Sequence, residues 1–213
     1  MKKVFPLSLV LVLATLITSF IIYPSLPEVM ATHWDLAGEP NGYMTRFWGA
    51  FLVPLMTAVM LGLFLLIPGL DPLKSNLKKF RAFFDGFVVL MVGFMAYVHG
   101  LVLAWNLGVR FNMGTAIIPA MGLLFFYIGI LLEHSKRNWF VGIKTPWTMS
   151  SDRVWVRTHR LGGRVFKIYG VLTVLTGLFL PGWAMTGLLI SLLVISLGLV
   201  VYSYVEFKKE KSR

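Results

Sequence analysis

Apolar residues run along the chain in six long stretches, at 4–23, 48–70, 84–105, 115–132, 166–180 and 183–204, separated by shorter polar segments. A run of about 20 apolar residues is long enough to cross the hydrocarbon core of a bilayer as a helix. In hydrocarbon every backbone N–H and C=O must bond within the protein, and the runs show no repeated strand-length alternation, so helices are the expected form. The reading is an all-α integral membrane protein of six transmembrane helices, with residues 1–213 forming a single membrane domain. Only Pro181 and Gly182 separate the last two runs, which predicts a tight antiparallel helical hairpin.

The fifth run is short by itself, and the polar pattern before it supplies the missing length. Ser150 or Ser151 is placed to cap a helix, with Asp152 in the first turn, where a negative charge suits the helix dipole. Arg153, Arg157, Arg160, Arg164 and Lys167 then recur at steps of four, three, four and three, which puts five cations on one face. Trp155, His159 and Phe166 fall on another face, with Gly162 and Gly163 between them. This predicts a cytoplasmic amphipathic helix between spans four and five, lying at the membrane surface and continuing into the fifth span.

Composition agrees with the pattern: 57% of the 213 residues are hydrophobic and 14% are charged, with a mean hydropathy of +0.78. The absence of cysteine removes disulfides, thiolate metal sites and thiol nucleophiles. A net charge of +11 would suggest nucleic acid in a soluble protein. Here the cations flank spans, so anionic lipids are the expected partner and direct nucleic-acid binding is not. The apolar run after Lys2 and Lys3 is longer than the core of a secretory signal, and is read as a retained first span. Placing Lys2 and Lys3, the 74–81 connection, the 136–164 loop with Lys167, and the tail from Lys208 on one side accounts for 18 of the 20 Lys and Arg residues, and leaves Arg46 and Arg110 opposite. By that division both termini are cytoplasmic and the 24–47 loop faces outward.

Two connections carry chemistry. The outward loop, 23–49, has stiffening Pro24 and Pro27, turn signals at Gly38 and Asn41-Gly42, and interface-type Trp34, Tyr43 and Trp48. With Glu28, Asp35 and Glu39 it has an acidic, aromatic surface suited to a cationic amphipathic peptide. The cytoplasmic loop, 136–170, holds N-W-F-V-G-I-K-T-P-W-T, then S-D-R-V-W and T-H-R before the glycines. The short connection D-P-L-K-S-N-L-K-K-F-R-A-F-F-D-G between spans two and three predicts an Arg81–Asp85 pair and offers Phe80, Phe83 and Phe84 to the membrane.

The loop motif resembles the signature of the sporulation-delaying-protein immunity family, the SdpI family. The stretch H-W-D-L-A-G-E-P-N-G-Y resembles the small domain of unknown function that precedes it in many members. The resemblance implies a polytopic immunity and signalling protein of the cytoplasmic membrane, without catalysis, cofactor or metal. Such a protein resists a secreted antimicrobial peptide toxin and holds a cytoplasmic transcriptional repressor at the membrane. The toxin-binding residues would then be His33, Trp34, Asp35, Glu39 and Tyr43. The signalling or docking residues would be Trp139, Lys144, Trp147, Arg153, Trp155, Arg157, His159 and Arg160.

Several constellations invite a sharper reading than the pattern supports. His33 with Glu28, Asp35 and Glu39 has the elements of a metal site, but a loop without cysteine gives weak evidence that they converge, and packing of His33 and Trp34 on the loop's own turns explains them better. His99, at membrane depth, is either a relay or ligand contact, or a neutral residue bonded to a neighbouring helix. His159 with Asp152 and Ser150 or Ser151 holds the components of a triad without its geometry, and capping accounts for the serines. Glycines at 93 and 100, 122 and 129, and 170 and 177 each repeat at seven residues and predict close helix packing. Trp139, Trp147 and Trp155 suit interface anchoring or docking. A small transporter or channel for a peptide or solute, passing His99, is the alternative function.

Overall fold

The computed structural model describes residues 4–35, 37–179 and 184–212. In chain order the elements are α1 (Val4–Ile22), β1 (Val29–Trp34), β2 (Pro40–Thr45), α2 (Arg46–Leu70), α3 (Lys74–Lys79), α4 (Arg81–Asn106), α5 (Met113–His134), α6 (Pro146–Ser150), α7 (Asp152–Phe179) and α8 (Ala184–Lys211). Helices α1, α2, α4, α5, α7 and α8 are long and apolar enough to cross a membrane. The protein is a multi-pass, predominantly α-helical membrane protein. Lys2, Lys3, the Pro181-Gly182 turn and Arg213 lie outside the described residues.

α7 is continuous over 28 residues, so the amphipathic segment and the fifth span are one helix. Its start is capped as expected: Ser151 Oγ accepts from the Val154 amide at 3.2 Å, which satisfies one of the donors a helix leaves free at its N-terminus. α8 likewise runs past the apolar stretch to Lys211, carrying Ser203 to Thr145 and Glu206 to Arg157 of α7.

Two glycine pairs hold α5 against α7. A Cβ added at Gly170 would lie 2.5 Å from the Phe126 amide nitrogen, and one at Gly129 would lie 2.6 Å from the Gly163 carbonyl. Backbones this close admit only glycine, and the close approach supplies the dispersion contacts that hold helices together in lipid. The third pair behaves differently. Gly93 and Gly100 on α4 have no neighbour within 4 Å of an added Cβ, and Gly93 instead lines an apolar groove of about 750 Å³ with Phe94, Tyr97, Ala116, Ala120 and Leu178.

The core lies in two clusters. Val12, Leu61, Leu77, Phe80, Phe84, Val88, Val92 and Leu131 fill the space among α1 to α5. Leu26, Met30, Ala50, Val102 and Leu103 form the second, beneath the β-hairpin. The expectation that the phenylalanines around α3 face lipid is corrected here: Phe80 and Phe84 are 1% exposed, and Phe83 stacks on His134 at 3.6 Å. The expected Arg81–Asp85 pair forms, at 2.6 Å.

Candidate functional sites at the two ends of the bundle

One end carries the hairpin. β1 and β2 pair antiparallel from Val29↔Thr45 to Trp34↔Pro40. The turn is organised by Asp35, whose Oδ1 accepts from the Ala37 amide at 2.9 Å and the Glu39 amide at 3.0 Å. Gly38 takes φ +88° within this turn, a left-handed conformation that glycine adopts freely. Asn41-Gly42 is not the turn: Gly42 sits within β2 opposite His33, where an added Cβ would lie 2.8 Å from the His33 Cβ.

The hairpin is bolted to the bundle. Asn106, at the end of α4, accepts from the Ala31 amide at 2.8 Å and donates to the Ala31 carbonyl at 2.9 Å, closing the free edge of β1 as a neighbouring strand would. Met30 is buried against Gly49, Asn112 donates to the Ala37 carbonyl at 2.8 Å, and Trp34 meets Trp105 edge-on at 5.6 Å. Of the five residues named for toxin binding, Trp34 and Asp35 therefore build the hairpin. His33 is exposed but bonded through Nδ1 to Asn41 Oδ1 at 2.5 Å. Glu39 and Tyr43, 58% exposed in the latter case, remain open to a partner, as do Glu28 and Trp48.

The opposite end is formed by residues 135–151 and the termini of five helices. Asn138 is buried and uses its whole amide: Oδ1 accepts from Phe140 at 2.9 Å and Val141 at 2.7 Å, and Nδ2 donates to the carbonyls of Lys136 and Val141 at 2.8 Å each. Next in sequence, Gly142 takes φ +124° over the stacked rings of Trp155 and His159, which lie 3.9 Å apart. A Cβ there would lie 2.4 Å from His159 Nε2. That nitrogen accepts from the Ile143 amide at 2.9 Å, so Nδ1 carries the proton and donates to the Trp155 carbonyl at 2.8 Å. Thr145 and Thr148 complete the loop with a capping box on α6.

Distant elements pin this loop from outside. Asp71 Oδ2 accepts from the Trp139 amide at 3.1 Å, and Asn76 donates to the Arg137 carbonyl at 3.0 Å. Ser135 accepts from the Trp155 indole at 3.2 Å. Thr145 meets Ser203 of α8 at 3.0 Å, Trp147 packs on Tyr204, and Arg157 pairs with the buried Glu206.

The residues named for docking consequently divide. Trp139, 55% exposed, with Lys144, Arg153 and Arg160 lies on the surface. Lys144 Nζ also donates to the Trp139 carbonyl at 2.9 Å. Trp155 and His159 are each 1% exposed, which corrects their assignment as contact residues: they shape the loop from beneath. His159 has both nitrogens engaged, and Asp152 pairs with Arg137 at 2.9 Å instead, so no triad assembles.

Between the two ends, Ser19 of α1 donates to the Ala50 carbonyl of α2 at 2.8 Å and thus accepts from His99 Nε2 of α4 at 2.7 Å. This ties three helices beneath the hairpin. Among the described residues no group of three His, Cys, Asp or Glu side chains converges on a common point.

Residues 135–203 match the SdpI/YfhL protein family, and residues 10–58 match a domain of unknown function, DUF1648. Over 206 residues the chain is 24% identical to the immunity protein SdpI of Bacillus subtilis (strain 168), with 95% of each chain covered. The chain is thus similar to the SdpI family over its C-terminal third and to that immunity protein along nearly its whole length. No solved structure matches it. The SdpI-family match opens at Ser135, which holds the Trp155 indole, and closes at Ser203, which meets Thr145. It therefore encloses the loop together with α7 and the part of α8 that braces it. The DUF1648 match takes in the hairpin and the portions of α1 and α2 that hold Ser19 and Ala50.

Nothing in the sequence pattern assigns a role to Asn138 within its motif, or marks Asp71, Asn106, Ser135, Ser203 and Glu206 together as supports. Asp71 and Glu206 carried one available signal. Each is an acid at the end of an apolar run within a strongly basic setting, where a carboxylate is expected to find an internal donor.

Proposed function

We propose that this chain is an SdpI-family membrane immunity protein whose hairpin end faces outward and meets a secreted cationic peptide toxin. The opposite end faces the cytoplasm. The observation that carries the reading is a rigid hairpin, anchored by Asn106 and Met30, that leaves Glu28, Glu39 and Tyr43 exposed. Neither Glu28 nor Glu39 has an ion pair among the described residues, so both carboxylates are open to a cationic ligand. The orientation is read from the cations: among the described residues, every Lys and Arg except Arg46 and Arg110 falls at the loop end or beside it. At that end the exposed Trp139 with Lys144 and Arg153 forms the signalling surface, on which a transcriptional repressor would be held.

The test is expression in a Bacillus subtilis strain lacking its own immunity protein, challenged with wild-type cells. The chain is expected to restore survival, and Glu28→Gln with Glu39→Gln and Tyr43→Ala is expected to abolish it at unchanged membrane abundance. Survival retained by that variant would remove the hairpin from recognition. Replacing Trp34 or Asp35 is a poorer test, because those side chains hold the hairpin together.

The transporter alternative gains no support from the geometry of His99. The residue lines neither of the two larger cavities and is engaged in a three-helix contact instead.

A further inference from the structure

The five cations of α7 do not act as one stripe. At about 100° of rotation per residue, Arg153, Arg160 and Arg164 fall within roughly 20° of a common line along the helix. Arg157 lies about 40° to one side and Lys167 about 40° to the other. The two flanking cations are consumed internally: Arg157 pairs with Glu206 of α8 and Lys167 with Glu133 of α5, the latter at 2.8 Å. These pairs brace α7 between its neighbours and turn the central line outward. Arg153, Arg160 and Arg164 are exposed and make no ion pair among the described residues.

The same line continues into lipid. Val171, Leu175 and Leu178 follow it down α7, and all three are exposed. Beside it, beginning at the residue after Arg164, a groove of about 310 Å³ runs between α7 and α8, lined by Val165, Ile168, Leu172, Leu188 and Ile195. Its floor is set by Tyr169, whose hydroxyl donates to the Leu188 carbonyl at 2.7 Å. Ile168 of this groove lies one helical turn from Arg164, and Arg164 one turn from Arg160, so the groove opens beside the first of two exposed arginines that make no ion pair among the described residues.

From this we infer that Arg160, Arg164 and the α7–α8 groove form a binding site for an anionic phospholipid. One acyl chain would lie in the groove and the phosphate would sit between the two arginines. An acidic face on a soluble protein would match the arginines alone. The phospholipid matches the arginines and the groove together, at the depth where the apolar part of α7 begins. Arginine suits the phosphate because its planar fork donates two parallel bonds. Arg153 stands about 10 Å further along the helix than Arg160, beyond a headgroup layer of about 5–7 Å per leaflet, and is not part of the site. This inference does not depend on the toxin or the orientation of the chain.

The test is native mass spectrometry of the full-length protein released from detergent containing equal phosphatidylglycerol and phosphatidylcholine. Wild type is expected to retain phosphatidylglycerol selectively. Arg160→Gln with Arg164→Gln should reduce that retention roughly thirtyfold, given about 1 kcal/mol for each of the two cations near an anionic surface. Ile168→Trp, which fills the groove without altering charge, should reduce it as well. Arg153→Gln, which also removes one exposed cation, should leave the selectivity in place, which separates the site from a general loss of positive charge. Equal retention of both lipids by wild type would overturn the proposal and leave the arginines to an acidic protein partner. Unchanged selectivity in the double arginine variant, or equal loss in Arg153→Gln, would overturn it too.

Discussion

Both ends of the bundle carry irregular chain that must satisfy its backbone away from water, and they do so by different means. The hairpin satisfies most of its own groups through strand pairing and the Asp35 turn, and is fixed to the bundle at a few points: Asn106 at its edge, Asn112 at its turn, and Met30 and Trp34 packed beneath. The loop has no pairing partner. Its amides and carbonyls are taken up by Asn138 from within, and by Asp71, Asn76 and His159 from three separate parts of the chain, while Ser203 of α8 holds the Thr145 hydroxyl. A structure held locally can present a surface without moving what lies beneath it. A structure held from many sides registers any displacement of the helices that hold it, which suits the loop end to signalling and the hairpin end to capture.

The comparison breaks most readily at Asn138. Asn138→Ala leaves the buried amides of Phe140 and Val141 without an acceptor, at a cost of about 3 kcal/mol. Thermal unfolding of the purified protein should shift down accordingly. Amide exchange should rise across 135–151 while the hairpin stays protected. Equal loss of protection at both ends would mean that they do not fold as separable units.

A smaller effect is expected at the hairpin. Asn106→Ala removes two bonds to Ala31 at the edge of β1, worth about 2 kcal/mol together. Exchange should quicken in 29–45 and leave the loop unchanged, and toxin protection should fall with it. Protection maintained on a loosened hairpin would show that rigidity is not what recognition requires.

The smallest effect is expected from Glu206→Gln, which keeps a polar group beside Arg157 but removes its counter-charge. Only the end of α8 should loosen, read as faster exchange over 203–211, because the remaining supports of the loop are untouched. If this variant instead releases 135–151, the α8 brace is the principal support and the distributed picture of the loop is wrong.

The sequence alone determined the six spans, the continuity of the basic segment with the fifth span, and the capping of that helix. All three rest on short-range physics: the length of an apolar run in hydrocarbon, the helical period, and the orphan amides of a first turn. Its two motifs also carried the resemblance to the SdpI family. It did not reveal that H-W-D-L-A-G-E-P-N-G-Y folds as a β-hairpin, since the strands are short and their register rests on Asn106, more than 70 residues away in the chain. Nor could the helical period distinguish Arg157 and Lys167, which are bound to Glu206 and Glu133, from the three arginines between them. Spacing places five cations on one face alike. Which of them keeps its charge open depends on the carboxylates that α5 and α8 bring alongside, and only the packed bundle decides that.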